Sequence, residues 1–280
     1  MIQKDMLLLN STECTIMESL AKYRFLTTSQ FQVLTGGKSL SYLRQLLRSL
    51  KKDRQYVKSF RVTLTSHVRA EDTFYLTPAG ADFVNSNKSF GLVTAPQSGK
   101  VQIVRDYQHR NASIDCFIHA HMHMEQCGIH VAEFVTYYDH VGSTKGNTLQ
   151  SKAQLLLNDG RRVIPDGIFV IEKDSKTKLL LVEMFCDDSR NLQRVLQSIA
   201  THAKVLAQGV ASKKYGVQDN AIVLCAFYHE KTLESIVNRL RENERFASIS
   251  PYFFFASLPD IKVDFGKAWR DIHGKPLIFQ

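Results

Sequence analysis

The sequence lacks several features that would place the protein in a specialised class. No window approaches the roughly 18 apolar residues of a membrane helix, and the start of the chain lacks the basic and apolar regions of a signal peptide. The 5 cysteines are scattered, odd in number and without a C-x-x-C pair, which argues against a disulfide framework and a zinc knuckle. We therefore expect a cytoplasmic protein that is not inserted into a membrane.

The chain also lacks the short motifs of several enzyme classes and any internal repeat. It contains no glycine-rich phosphate loop, no dinucleotide-binding fingerprint and no Ser-His-Asp signature. Positive charge, in contrast, is abundant. Lysine and arginine number 36 against 27 aspartates and glutamates, a formal net charge of +9, and such an excess favours a polyanionic partner such as nucleic acid.

Helical periodicity recurs three times near the start of the chain. Apolar spacing predicts a helix over residues 13–22. Thr27 and Gln30 have the spacing of a capping box at the start of a second helix. Ser39 can cap a third helix, which carries a stripe of leucines on one side.

Two β-rich runs follow these helices, over residues 56–64 and 73–76, on either side of a polar tip. Three helices followed by a β-hairpin predict a winged helix-turn-helix domain over residues 1–88. Residues 89–104 are rich in small and polar residues with little periodicity, and we predict a linker there.

Positive charge gathers on the third predicted helix and the hairpin. Between residues 36 and 61, eight basic residues stand against the single acid Asp53. These residue types, together with neutral polar ones among them, are suited to positioning phosphates and reading base edges. We expect DNA contacts from Lys38, Ser41, Tyr42, Arg44, Gln45, Arg48, Lys51, Lys58 and Arg61. The plainer alternative is a solvated face of a small helical domain.

Residues 105–280 are predicted to form a second domain of mixed helices and strands. Strands are expected over 129–138, 151–157, 163–172, 178–185 and 221–227, with helices over 110–126, 192–206 and 231–245. The fold class is therefore α+β or α/β, with a winged helix in front of an α/β domain.

Two carboxylates stand out in this second domain. A hairpin turn centred between Asp174 and Ser175 would place Asp166 directly opposite Glu183 on the neighbouring strand. Two like charges converging in this way repel each other unless they share a proton or bind a cation. Oxygen ligands at this spacing suit Mg²⁺ or Mn²⁺. The alternative is a surface hairpin that carries two solvated acids.

At these residues the sequence resembles the PD-(D/E)XK nuclease fold, and more closely the replication-relaxation family with its MobC-type plasmid mobilisation relaxases. The likeness rests on Phe25-Leu26-Thr27-Thr28, His109-Arg110, Ile164-Pro165-Asp166-Gly167 and Leu181-Val182-Glu183. It implies a winged helix joined to a restriction-endonuclease-like domain.

The resemblance also implies an activity. The protein would bind double-stranded DNA at a plasmid's origin of transfer and nick one strand, with Mg²⁺ or Mn²⁺ held by Asp166 and Glu183. Accessory mobilisation and coupling proteins would be further partners.

One position departs from the nuclease motif. The motif's lysine would stand two residues after the glutamate, where this chain has Phe185. Lys152 on the preceding strand, or His202 or Lys204 on the following helix, are candidates to replace it. Glu133 is a further candidate metal ligand, and its alternative is an outward position on an edge strand.

The missing lysine leaves other functions open. A non-catalytic DNA-binding accessory or replication-control protein with a decayed nuclease domain would tolerate its loss. A transcriptional repressor with an effector domain is a third interpretation, although it accounts less well for the paired carboxylates.

The run His119-Ala120-His121-Met122-His123 is a competing metal site. On a strand, alternate histidines would share a face, similar to the metal site of tyrosine-dependent relaxases, with Tyr137 or Tyr138 as the attacking hydroxyl. The flanking apolar residues favour a helix instead, on which His119 and His123 would be neighbours and His121 would point elsewhere.

Overall fold

The computed structural model describes residues 9–63, 70–86, 93–95, 106–142, 149–187 and 191–279. The chain divides into two compact units, residues 1–114 and 115–280. Most of the predicted linker 89–104 lies outside the described residues. The predicted domain boundaries at residues 88 and 105 therefore stay predictions.

The N-terminal unit combines helices with a small antiparallel sheet. Its helices are α1 (Ser11–Tyr23), α2 (Thr28–Leu34), α3 (Leu40–Lys52) and α4 (Pro78–Ser86), and its strands are β1 (Leu26–Thr27), β2 (Val57–Phe60) and β3 (Thr73–Leu76). Among the described residues the sheet has the strand order β1-β3-β2. The predicted sequence of helices followed by a β-hairpin is confirmed.

Local caps explain where these helices begin. Thr27 Oγ1 accepts a hydrogen bond from the backbone N–H of Gln30, and Gln30 Oε1 accepts one from the N–H of Thr27, which confirms the predicted capping box. Ser39 Oγ caps α3 by accepting from the N–H of Tyr42 at 3.3 Å, also as predicted. The leucines of α3 then face the core of this unit.

The second unit is built on a mixed sheet with the order β12-β11-β10-β9-β4 in its described part. These strands are β4 (His130–Thr136), β9 (Gly167–Lys173), β10 (Lys176–Phe185), β11 (Ile222–Phe227) and β12 (Phe253–Ser257). β10 runs antiparallel to β9 and parallel to β11. Two short pairs accompany the sheet: β5 (His140–Val141) with β6 (Gln150–Ser151), and β7 (Leu155–Leu156) with β8 (Arg162–Val163).

One helix, α5 (Tyr107–Gln126), precedes these strands, and the described helices that follow it lie between and after them. They are α6 (Leu192–Gln208), α7 (Val210–Tyr215), α8 (Glu230–Arg241), α9 (Glu244–Ala247), α10 (Leu258–Val263) and α11 (Phe265–Ala268). Side chains of α6 and α8 join the alternate residues of β10 and β11 in one apolar core. On α5, Phe117 packs its ring against Phe134 of β4 and Phe169 of β9.

The hairpin between β9 and β10 has the predicted register. Asp174 and Ser175 adopt positive φ angles of 50° and 62°, which allow a tight turn. The ladder then runs from Lys173 opposite Lys176 to Gly167 opposite Val182. Asp166 opposite Glu183 would be the next pair of this register, but the ladder ends before it.

Two predicted strands are interrupted in the structure. The predicted strand 151–157 contains two separate short strands, β6 and β7. The predicted strand 163–172 is interrupted between Val163 and Gly167. Pro165 lies in this break and has no N–H to donate to a ladder, so the strand restarts only after Asp166.

A substitution at Gly167 tests the packing between the first residue of β9 and Phe117. A Cβ at Gly167 would lie 2.5 Å from Cε1 of Phe117, whose side chain is fully buried. We expect Gly167→Ala to lower the free energy of unfolding by about 1–3 kcal/mol, because the ring has no space to move into. In a Phe117→Leu background the same change should cost less, and urea unfolding of the four proteins measures the difference. An equal cost in both backgrounds would contradict the proposed contact.

Candidate functional site

Asp166 is fixed immediately before β9. Its side chain is buried, and its Oδ2 atom accepts a hydrogen bond from the backbone N–H of Met184 at 2.7 Å. Its backbone carbonyl accepts from the N–H of Tyr137, in the turn after β4, at 3.0 Å. The residue is thus held by contacts with the ends of both neighbouring strands.

Glu183 lies near the end of β10 and is held from α6. Ser198 Oγ donates to Glu183 Oε1 at 3.1 Å, and His202 Nε2 lies 3.1 Å from Glu183 Oε2. A carboxylate can only accept, so we assign the proton of this contact to His202 Nε2. His202 itself is 1% exposed, which makes its bond to Glu183 an interior contact.

The surroundings of Glu183 are largely apolar. Leu181 and Phe185, which alternate with it along β10, belong to the core beneath α6. Cys225 stands opposite Glu183 on β11, and burial together with the negative charge of Glu183 raises the pKa of its thiol. A carboxylate in such a place is costly unless it is hydrogen-bonded, as Glu183 is.

The two carboxylates share a strand level but have different neighbours. The ladder ends at the pair of Gly167 and Val182, so Asp166 and Glu183 are not part of it. Burial raises the pKa of the Cys116 thiol on α5, with further contributions from Asp115 and Asp166, whereas Glu183 acts on Cys225. Within the described ranges, no three His, Cys, Asp or Glu side chains are grouped so as to hold a metal ion.

The basic surface of the N-terminal unit is the second candidate site. Along α3 the leucines at 43, 46, 47 and 50 are buried, so the polar positions between them point outwards. All predicted DNA contacts are exposed: Lys38, Ser41, Tyr42, Arg44, Gln45, Arg48, Lys51, Lys58 and Arg61. Arg61 is engaged by both carboxylate oxygens of Asp72 at 2.9 Å, and Lys51 Nζ donates to Ser59 Oγ. The charge of Arg61 is therefore balanced by Asp72, whereas Lys51 is hydrogen-bonded to a neutral hydroxyl.

Comparison with known proteins assigns the chain to a family. The profile of the replication-relaxation family matches residues 17–221. The chain belongs to the replication-relaxation family. Membership implies a role in plasmid replication or relaxation and an interaction with DNA. No curated protein and no solved structure matches the chain.

The described helices of this replication-relaxation protein include none that is long and apolar enough to cross a bilayer.

The position of the missing lysine is apolar in this family member. Phe185 is 5% exposed and packs against Phe227, with ring centroids 5.0 Å apart. Of the residues predicted to replace the lysine, His202 contacts Glu183 directly. Lys152 and Lys204 have exposed side chains. The charge of Lys204 acts on Asp159, whose pKa is lowered mainly by its hydrogen bonds with Arg161.

Glu133 lies on β4 next to a bulge, with an exposed side chain. Burial raises the pKa of the Tyr215 hydroxyl, and the negative charge of Glu133 raises it further. Burial lowers the pKa of Lys214, and Glu133 opposes that shift. Glu133 thus lies beside α7, and its predicted role as a metal ligand stays a prediction.

The strand interpretation of the histidine run is wrong, because residues 119–123 lie within α5. His121 is buried against the rings of Phe134 and Phe169, and its Nδ1 atom lies 2.9 Å from the carbonyl oxygen of Phe117. His123 packs instead against Phe265. On the helix, His121 and His123 contact different neighbours. They therefore do not form the metal site that alternate residues of a strand would provide.

Sequence reasoning missed Ser198. Its hydroxyl and the ring of His202 are four residues apart on α6, so both reach the same carboxylate. The sequence feature that could have indicated Ser198 is the pair of polar side chains at helical spacing, Ser198 and His202, beside the apolar stripe of Val195 and Ile199.

A double-mutant cycle tests the contact between Glu183 and His202. His202→Leu should lower the free energy of unfolding by about 2 kcal/mol, because it leaves a largely buried carboxylate with one donor fewer. Replacing both residues by leucine should recover most of that loss, since an apolar pair is often as stable as a buried polar one. Glu172→Gln, at an exposed site of β9, is the control and should change little. Additive effects of the two leucine substitutions in urea unfolding would contradict the contact.

Proposed function

We propose that this replication-relaxation protein is a plasmid mobilisation relaxase that binds the origin of transfer and nicks one strand by metal-dependent hydrolysis. The N-terminal unit would be a winged helix-turn-helix that selects the DNA site. The second unit would be a restriction-endonuclease-like domain with Asp166 and Glu183 as its two acids. The observation that carries the proposal is Glu183, a partly buried carboxylate at the edge of the apolar core that is held by two donors from α6.

The order of elements supports the DNA-binding part of the proposal. Helices α2 and α3 precede a β-hairpin, and α3 presents an exposed polar and basic face. A recognition helix in the major groove needs such a face, with side chains that reach bases and phosphates. Arg44, Gln45 and Arg48 are exposed on consecutive turns and would make these contacts.

The donor chemistry at Asp166 and Glu183 fits Mg²⁺ or Mn²⁺. Magnesium is usually held by one or two carboxylates together with water and phosphate oxygens, so a larger cluster of ligands is not needed. Each carboxylate oxygen has more than one acceptor site, so Glu183 can keep its bonds to Ser198 and His202 while it binds a cation. Hydrogen bonds of this kind commonly orient ligating carboxylates.

The protein's own groups would each have a defined task. When bound, a divalent ion would supply an activated water and neutralise charge on the scissile phosphate. Asp166, held by the N–H of Met184, and Glu183, held by Ser198 and His202, would keep their carboxylates in a fixed position. Phe185 would exclude water on the core side of Glu183.

A second candidate function rests on Phe185. A lysine at this position would stabilise the charge that develops on the phosphate, and the buried phenylalanine offers no such charge. The chain would then be a DNA-binding accessory or replication-control protein with a decayed nuclease site. Cleavage separates the two functions, because both require DNA binding.

DNA binding is tested at α3. We expect Arg44→Ala/Arg48→Ala to weaken binding to origin DNA and to lower the slope of log affinity against log salt concentration by about two units, one for each lost phosphate contact. Arg61→Ala should have a smaller effect, because Arg61 is paired with Asp72. The control is Arg239→Ala/Arg245→Ala, two exposed arginines of the second unit. Equal salt slopes for the wild type and the α3 variant in anisotropy titrations would rule out this surface.

Nicking is tested on a supercoiled plasmid that carries the mobilisation region, with Mg²⁺ or Mn²⁺. Asp166→Asn and Glu183→Gln should each reduce open-circle product by more than about 100-fold, and His202→Leu by about 10–100-fold, as expected for loss of ligands and of a group that orients one. Glu172→Gln should cut normally, and no protein should remain attached to the nicked strand.

The outcomes of this assay separate the two functions. A wild-type protein that binds origin DNA but does not cut it, even with added accessory and coupling proteins, would indicate the accessory role. Protein attached covalently to the nicked strand would contradict hydrolysis by water.

A further inference from the structure

A shallow groove lies at the hairpin end of the central sheet, in the second unit. Its floor is aliphatic and includes Ile171, Leu180, Ile222 and Leu277. The groove residues Lys176, Lys178 and Leu180 alternate along one face of β10, whereas Glu183 is an odd number of positions away from each of them and points to the opposite face. The groove is therefore distinct from the proposed nicking site.

Lysines form the rim of this groove. Lys173, Lys176 and Lys178 line it, and Lys173 stands directly opposite Lys176 in the ladder. Like charges in directly opposed positions destabilise a hairpin. The field of Lys173 extends to His123, whose pKa is lowered mainly by burial, raised by the charge of Asp264 and lowered again by this lysine. An anionic group placed at the rim would relieve this repulsion.

The floor indicates which kind of anion fits. Bases of single-stranded nucleic acid bind by stacking on aromatic rings, and the floor is aliphatic. Phe279, the aromatic residue at the groove, packs its ring against His123 and Phe265. Ile278, in contrast, is 63% exposed and lines the same groove. A side chain from another protein suits such a surface better than a base does.

We propose that the groove binds an acidic peptide segment of a partner protein. An aliphatic side chain of the segment packs on Ile278, which is exposed, and on the partly exposed Ile222 beside it, and its carboxylates pair with Lys173 and Lys176. The charges are complementary, and an apolar anchor within a polar rim is a common arrangement at protein interfaces. The surface is independent of nicking and would recruit a partner to the DNA-bound protein.

The test uses the full chain and a fluorescein-labelled heptapeptide that has acidic residues on both sides of a central leucine. Anisotropy should show saturable binding that weakens as salt is added, because the rim charges are exposed to solvent. Lys173→Glu/Lys176→Glu should weaken binding by roughly tenfold or more, since attraction becomes repulsion. Lys213→Glu/Lys231→Glu, which reverses two exposed lysines elsewhere in the same unit, should leave it within about twofold.

The apolar anchor is tested separately. Ile278→Ser should weaken peptide binding, and Val263→Ser, at a valine that is 87% exposed and outside the groove, should not. A peptide with serine in place of the central leucine should bind more weakly to the wild type.

Three results would overturn the proposal. The first is equal loss of peptide binding in both lysine variants, which would indicate a response to net charge alone. The second is a (dT)12 oligonucleotide that binds at the groove lysines while the peptide does not, which would indicate nucleic acid. The third is self-association that Lys173→Glu/Lys176→Glu abolishes in sedimentation velocity, which would indicate a second copy of the chain as the occupant.

Discussion

The tight turn at Asp174 and Ser175 fixes the register between β9 and β10, and the candidate active site depends on that register. A slip of one residue would move every side chain of a strand to the opposite face of the sheet. Glu183 would then leave α6, and its contacts with Ser198 and His202 would be lost. The same register brings Lys173 opposite Lys176 at the other end of the hairpin, so one turn positions both the candidate active site and the lysine rim of the groove.

Spacing along the sequence was sufficient to predict those parts of the structure that depend on residues close together in the chain. The capping box of Thr27 and Gln30 and the register of the β9–β10 hairpin follow from spacing along the chain. Ser198 could not be found in this way, because its contact exists only after α6 packs over β10. The histidines around His121 were ambiguous because a short apolar stretch suits a buried strand and a buried helix equally well.

The candidate site combines features that oppose stability with features that favour chemistry. A carboxylate beside Cys225 and Phe185 costs free energy that leucine would not, and its hydrogen bonds to α6 offset part of this cost. Such a charge is expected where function requires it. Phe185 is the opposite case, since it improves packing where the nuclease motif has a cation. Glu183 therefore favours a catalytic function, and Phe185 argues against one.

The most direct test of this account is Mn²⁺ binding, measured by electron paramagnetic resonance on the full chain in complex with uncleaved origin DNA. We predict a bound Mn²⁺ signal in the wild type and in Glu172→Gln that is lost in both Asp166→Asn and Glu183→Gln, while all four proteins keep their affinity for DNA. The same bound signal in all four proteins, or its absence from the wild type, would contradict a metal site at Asp166 and Glu183.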